Sequence, residues 1–485
     1  MTIIRSMLDK YKMLKLGVKA ALWFTICNVL QKSITMITMP IFTRLLTTEQ
    51  YGVLTVYNSW YSVISIIVTL NLAGGLINNG MVKFENRRNE FISAMQGLSF
   101  SVTAVFFIVY LVAQNFWNKV FDLSSVFMLT MFVQLLFEPA YLFWSQRQRY
   151  EYKYKSLVAV TLGVSLTAPV LGIIAVLSTE YKAEARVVSF ALVQVCAGLI
   201  FFGIQAYRGK KLFVGSFWKF ALRFNLPLIP HYLAQIILGQ SDRIMIGRMT
   251  GNSYAAIYGV AYNIATVVTL FINALNSSFI PSMYQNLSRK NYKDIRKTAD
   301  FLCLFMTVAI SVFMLLGPEA IKLLAAPEYS EAKWVFPPVA TSVFFVYIYT
   351  LFINLEFYFE KTHYVMFASV ICAGLNILLN YIFIAKYGYI AAAYTTVLCY
   401  ALFAVAHYFV YRYIAKKEKV QEPVFDGFRI TLYSVVVLAA MGVSLLLYNY
   451  NLVRYIVLGV IALIALINIK KLTAICKTLF FEKKE

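Results

Sequence analysis

The chain has 485 residues, 60% of them hydrophobic and only 14% charged, and its formal net charge is +22. A soluble domain covers its core with roughly 25% charged residues, so this composition excludes an ordinary soluble enzyme, a disordered scaffold and a disulfide-stapled secreted domain. Lipid tails accept an apolar outer face, and at about 20 residues per crossing the apolar content suffices for a polytopic membrane protein of some fourteen spans.

Taken in chain order, apolar runs between charged punctuation predict spans at 18–42, 52–77, 91–113, 124–145, 156–178, 187–207, 220–245, 255–280, 298–317, 334–358, 364–385, 390–411, 430–449 and 453–469. The first run follows a basic tail and is long enough to cross, so it is expected to be the first helix and not a cleavable signal. The predicted architecture is all-α. It has an N-tail (1–17), an N-lobe of spans 1–6 (18–210), a C-lobe of spans 7–12 (211–412), two added spans (430–469) and a basic C-tail (470–485).

The cations sit in short clusters between the spans, which is the positive-inside pattern and not the continuous patch of a nucleic-acid binder. Of the 44 Lys and Arg residues, 33 fall in the two tails, the even-numbered loops or the helix ends beside them, and nine fall in the odd-numbered loops. Lys32 and Arg243 lie inside predicted spans. This asymmetry predicts both termini on the cytoplasmic side. A parallel internal repeat is also expected. TRLLTTEQYGVLTVYNSW (43–60) resembles GRMTGNSYAAIYGVAYNIA (247–265), and aligning Tyr57-Asn58 with Tyr262-Asn263 gives an offset of 205 residues.

Ionisable groups inside a bilayer are costly, so each needs a partner, water or a function. At 100° per residue, His231, Gln235 and Asp242 of span 7 share one arc with Gly239 between them. Span 1 groups Asn28, Gln31, Lys32 and Thr35; span 2 groups Asn58, Ser62, Ser65 and Thr69. Span 4 groups Gln134, Glu138, Tyr141 and Ser145, and span 8 groups Tyr262, Thr266, Thr269, Asn273 and Asn276. Such wet faces suggest a shared central cavity, although interhelical hydrogen bonding accounts for Ser, Thr and Asn at such places equally well. Glu356 lies opposite the Tyr347/Asn354/Tyr358 stripe of span 10 and carries no expectation. Prolines 40, 139, 169, 227, 230, 337 and 338 are expected to bend helices, above all in NLPLIPH (225–231), and interruptions are expected in spans 1 and 7.

Six scattered cysteines and three widely spaced histidines form no metal pattern. No Walker A sequence, GxSxG or HExxH motif and no TVGYG filter is present. These absences point away from an ATPase, a hydrolase and a tetrameric channel, and toward a gradient-driven transporter.

Four stretches carry a family resemblance: MPIFTRLLTTEQYG (39–52), WSQRQRYEYKYK (144–155), RFNLPLIPHYLAQIILGQSDRIMIGRMTG (223–251) with IYGVAYNIA (257–265), and NILLNYIFIAKYGYIAAAYTTVLCY (376–400). The chain resembles the polysaccharide biosynthesis proteins that flip lipid-linked oligosaccharides, of the multidrug/oligosaccharidyl-lipid/polysaccharide exporter superfamily. It departs from the family at Ala255-Ala256, where relatives usually carry Leu-Gly. The resemblance implies a non-enzymatic flippase of the bacterial cytoplasmic membrane. It would move an undecaprenyl-diphosphate-linked repeat unit from the inner to the outer leaflet by alternating access, for capsule, O-antigen or exopolysaccharide, with a polysaccharide polymerase as a candidate partner.

On that reading Lys32 and Arg243 would offset phosphate charge. Asn28, Gln31, Asn58, Gln235, Tyr262 and Asn273 would replace sugar hydration. No cofactor is implied; proton or sodium coupling is left open, with Glu138, Asp242 and His231 as candidates. A drug/cation antiporter of the same superfamily is the alternative within transport, but it calls for more acidic residues in the N-lobe. A membrane polymerase or acyltransferase is the alternative from another class, and it calls for a larger outer loop than 318–333.

Overall fold

The structure is a computed structural model that describes residues 16–467, and all regular secondary structure among them is helical. The predicted C-tail (470–485), the predicted N-tail (1–17) up to residue 15 and the last two residues of span 14 lie outside the described residues. The chain forms two compact units that divide between Ile244 and Met245.

In the first unit the long helices are α1 (Leu16–Leu45), α2 (Thr48–Val68), α3 (Arg88–Val112), α4 (Ser125–Tyr150), α5 (Tyr154–Leu177), α6 (Lys182–Gly209) and the start of α7 (Ile229–Thr250). The second unit continues with α8 (Asn252–Ala265), α9 (Val268–Ser288), α10 (Tyr292–Leu315), α11 (Ala332–Tyr358), α12 (Thr362–Tyr387), α13 (Ala391–Lys417), α14 (Gly427–Leu447) and α15 (Asn451–Ile467). Among the described residues, twelve helical stretches are long and apolar enough to cross a membrane, with α8 and α9 counted as one. The two remaining predicted spans are helical as well. The 22-residue α7 is made less apolar by His231, Gln235, Asp242, Arg243 and Arg248, and 17 residues of α15 are described.

Local chemistry explains several boundaries. The turn between α1 and α2 is set by a capping box: Thr47 Oγ1 accepts the Gln50 N–H at 3.2 Å, and Gln50 Oε1 accepts the Thr47 N–H at 3.1 Å. Helix α1 ends at Leu45 and α7 at Thr250, so the helix ends are separated by the same 205 residues as the sequence repeat.

The proline expectation holds at NLPLIPH (225–231), where the helix is broken, and needs correction elsewhere. Span 7 does not begin at 220: Gly215–Asn225 is a separate short helix, a 3-10 turn at Leu226–Leu228 holds Pro227, and α7 starts only at Ile229. Span 1 is not interrupted, because α1 runs through Pro40 as one helix, as α4 does through Pro139 and α5 through Pro169. The break in span 8 falls at Thr266–Val267, where there is neither proline nor glycine. There, Thr266 Oγ1 donates to the Asn263 carbonyl at 2.9 Å and Thr269 Oγ1 to the Thr266 carbonyl at 2.5 Å. Hydroxyls that bond back to the backbone in this way compete with the helical ladder.

Close backbone approach organises the first unit. Gly198 of α6 faces the Phe137 carbonyl of α4, and Gly209 faces Asn89 and Ser93 of α3, both too near to admit a Cβ. Small residues of this kind let membrane helices pack by van der Waals contact. In the second unit α11 is the central helix, with most of its residues buried, and it packs along α13.

Candidate functional site

The clearest polar constellation of the first unit surrounds Glu138 on α4. Its Oε2 accepts a hydrogen bond from the Tyr61 hydroxyl of α2 and another from Gln134 Nε2, one turn earlier on α4, at 2.7 Å. The Tyr57 ring lies 6.4 Å from that of Tyr61. Gln134 is buried and Glu138 half-buried. Among the described residues, no ion-pair or electrostatic partner of this carboxyl is a cation. A phenol and an amide can hold either a carboxylate or a carboxylic acid, whereas a salt bridge fixes one charge state.

A second constellation links α1, α2, α5 and α7. Gln31 Nε2 donates to Ser165 Oγ of α5 at 3.0 Å. Lys32, half-buried on α1, lies within electrostatic reach of Arg243 on α7. The Arg243 guanidinium donates to Gln240 Oε1, which also accepts the Ser59 hydroxyl of α2 at 3.2 Å. Asp242 is buried beside Arg243, while Gln235 and His231 are half-buried on the same helix. Asn28 and Asn58 are accessible.

In the second unit Tyr262 stacks on Tyr258 at 6.4 Å just before the helix break, and Asn273 is accessible beyond it. The second unit also brings together residues that the sequence left apart. His407 of α13 and Glu356 of α11 are fully buried and meet at 2.6 Å between Nδ1 and Oε1. Their other polar atoms, His407 Nε2 and Glu356 Oε2, have no hydrogen-bond partner among the described residues. The two residues are 51 positions apart on different helices, and no sequence period signals the pair. The 376–400 stretch folds into a buried chain in which Asn380 Nδ2 donates to Asn376 Oδ1 at 3.2 Å and Thr395 Oγ1 of α13 donates to Asn380 Oδ1. That motif therefore clamps α12 to α13.

Residues 18–286 match the polysaccharide biosynthesis protein family, and residues 227–382 match the MatE family. A protein of the Lsg locus of Haemophilus influenzae is 23% identical over 73% of this chain and 88% of its own length. Among solved structures, the lipid II flippase MurJ in an inward closed conformation superposes with a TM-score of 0.67 at 13% identity, covering 93% of this chain and 99% of that one. An inward-facing multidrug resistance MATE transporter of the MOP superfamily gives 0.62 at 12% identity, covering 81% and 96%. These likenesses establish the fold as that of membrane transporters.

Proposed function

Because the chain belongs to the polysaccharide biosynthesis protein family, within a superfamily of multi-pass membrane transporters, we propose that it flips a polyprenyl-diphosphate-linked oligosaccharide from the cytoplasmic to the outer leaflet of a bacterial inner membrane by alternating access. The family match carries this reading, and it is supported by two cations on separate helices of the first unit, the half-buried Lys32 and the buried Arg243 that donates to Gln240. A diphosphate cannot enter hydrocarbon, since desolvating a charge costs several kcal/mol or more. Two guanidinium or ammonium groups can replace part of its hydration. The nearby Gln31, Asn28, Asn58 and Gln235 supply amide partners for sugar hydroxyls, and Tyr262 and Asn273 supply similar groups in the second unit. The same cations disfavour a cationic drug as cargo. The function serves capsule, O-antigen or exopolysaccharide assembly, upstream of a polymerase.

Glu138 is the residue suited to coupling. Its partners are Tyr61 and Gln134, so it can take or release a proton, or meet a sodium ion, without breaking a salt bridge. Asp242 and His231 on α7 are the further coupling candidates.

The test is the sidedness of the lipid-linked oligosaccharide in cells depleted of the protein. Accumulation on the cytoplasmic leaflet is expected; unchanged sidedness overturns the proposal.

A further inference from the structure

Outside these constellations, one concave surface of the first unit combines volume, charge and rigidity. It encloses about 530 Å³, within the range of small-molecule sites (roughly 300–1,000 Å³). Its walls are the 3-10 turn Glu85–Arg87 with the first residues of α3, the end of α4, and the end of α6 with the bend after it. These segments belong to the loops that the positive-inside count assigns to the cytoplasm.

Six cations and three carboxylates line the pocket. The carboxylates are already engaged. Glu90 binds Arg87 at 2.6 Å, Glu85 binds Arg88 at 3.3 Å, and Glu151 binds Arg147 at 2.8 Å and Lys153 at 2.5 Å. Partial burial alone would raise the Glu151 carboxyl, but the bonds from Lys153 and Arg147 outweigh it and hold the group below the usual carboxylate range. It therefore stays charged and paired at neutral pH. Arg208 and Lys210 are exposed and have no protein partner among the described residues. Lys210 caps α6 in the left-handed conformation at φ +60°, a backbone state that costs a non-glycine residue energy.

The walls are fixed below the pocket. Gln205 Nε2 of α6 donates to the Ala140 carbonyl of α4 at 2.9 Å and to Gln96 Oε1 of α3 at 3.3 Å. Gly209 rests against Asn89 and Ser93. The three helix ends are thus tied to one another, and the cations converge on a preformed hollow. The first turn of α3 has no side-chain cap, so its N–H groups add positive potential there.

We propose that this pocket binds a phosphate-bearing anionic headgroup at the cytoplasmic face, with Arg208 and Lys210 as its principal ligands. The surplus of three cations suits a phosphate or diphosphate, and basic pockets between membrane helices on this side take lipid headgroups. The site is separate from Lys32 and Arg243, and the inference does not rest on the transport reading.

The test uses the purified full-length chain and its Arg208→Gln/Lys210→Gln variant. A second variant, Lys290→Gln/Lys293→Gln, removes two exposed cations of the second unit as a matched loss of charge. Inorganic pyrophosphate is titrated calorimetrically, and phosphatidylglycerol retention from nanodiscs is counted by native mass spectrometry against phosphatidylcholine. The pocket variant is expected to bind pyrophosphate at least tenfold more weakly, or to lose one retained phosphatidylglycerol, while the matched variant does neither. Loss confined to phosphatidylglycerol identifies a lipid headgroup, and loss confined to pyrophosphate identifies a soluble phosphate. Wild-type behaviour of the pocket variant in both arms, or an equal loss in the matched variant, overturns the proposal.

Discussion

Glu151 and Glu356 stand 205 residues apart, at the ends of α4 and α11, and their surroundings differ. Glu151 lines an open basic pocket and pairs with two cations. Glu356 is fully buried against His407. Nearby, Phe425 packs on Phe352 of α11 with ring centroids 5.5 Å apart, and the Val424 and Phe425 N–H groups donate to the Tyr411 hydroxyl at 3.0 and 3.3 Å. The first unit thus presents this carboxylate to solvent, and the second seals its own away. Water screens the first pair and sets its value near that of a surface bridge, whereas the second pair depends on its partner for all its solvation.

Substitution tests that contrast, and the largest effect is expected at the sealed pair. His407→Leu or Glu356→Leu should each cost about 3–5 kcal/mol, read as a large drop in the unfolding temperature of the detergent-purified protein. The double variant Glu356→Met/His407→Leu should recover most of that loss, because replacing both partners leaves no buried polar group without its partner. Single variants that unfold normally yet fail to transport would reverse the assignment and make the sealed pair functional.

Glu138 comes next. Glu138→Gln should reduce glycan export at least tenfold, while stability falls by no more than about 1.5–3 kcal/mol, the range for hydrogen bonds to charged groups. A fully exporting Glu138→Gln strain would remove the carboxyl from the coupling scheme. Tyr61→Phe keeps the ring and removes one donor, so about 0.5–1.5 kcal/mol of stability should be lost; a larger loss would mean that Tyr61 has a packing role beyond this bond.

The smallest effect belongs to the open pocket. The Glu151 carboxyl lies below the usual range when folded, so its contribution to stability is present above the ordinary carboxylate value and fades as pH falls through the lowered one. Glu151→Gln should lower the unfolding temperature slightly at neutral pH, as for a surface ion pair, and flatten that acid-side decline by the same small amount. An unchanged acid profile would show that the carboxyl does not sense the pocket cations.

Much of this organisation was legible in the amino-acid sequence. Hydropathy located helices near every predicted span, and the 205-residue offset recurs in the ends of α1 and α7. Local patterning also grouped Gln134 with Glu138, because a helix places residues four apart on one face. What the sequence concealed were the partners from other helices. Gln31 and Ser165 are 134 residues apart, and Tyr61 and Glu138 are 77 apart. Periodicity reports which face a residue occupies and not what packs against that face. The helix break at Thr266–Val267 escaped for a related reason: proline is the usual breaker read from sequence, and here threonine hydroxyls compete for backbone carbonyls. Glu356 showed neither a stripe nor a motif, and only the packing of α11 along α13 gives it His407.

The central claim is that Lys32 and Arg243 together receive a diphosphate and carry it across. The most direct measurement follows a fluorescent polyprenyl-diphosphate oligosaccharide in proteoliposomes, using an impermeant quencher to report the labelled headgroup on each leaflet. The account predicts transfer by the wild-type protein and near-complete loss of it in Lys32→Ala/Arg243→Gln protein reconstituted to the same level. Equal transfer by both proteins, or wild-type transfer no faster than in empty liposomes, would contradict it.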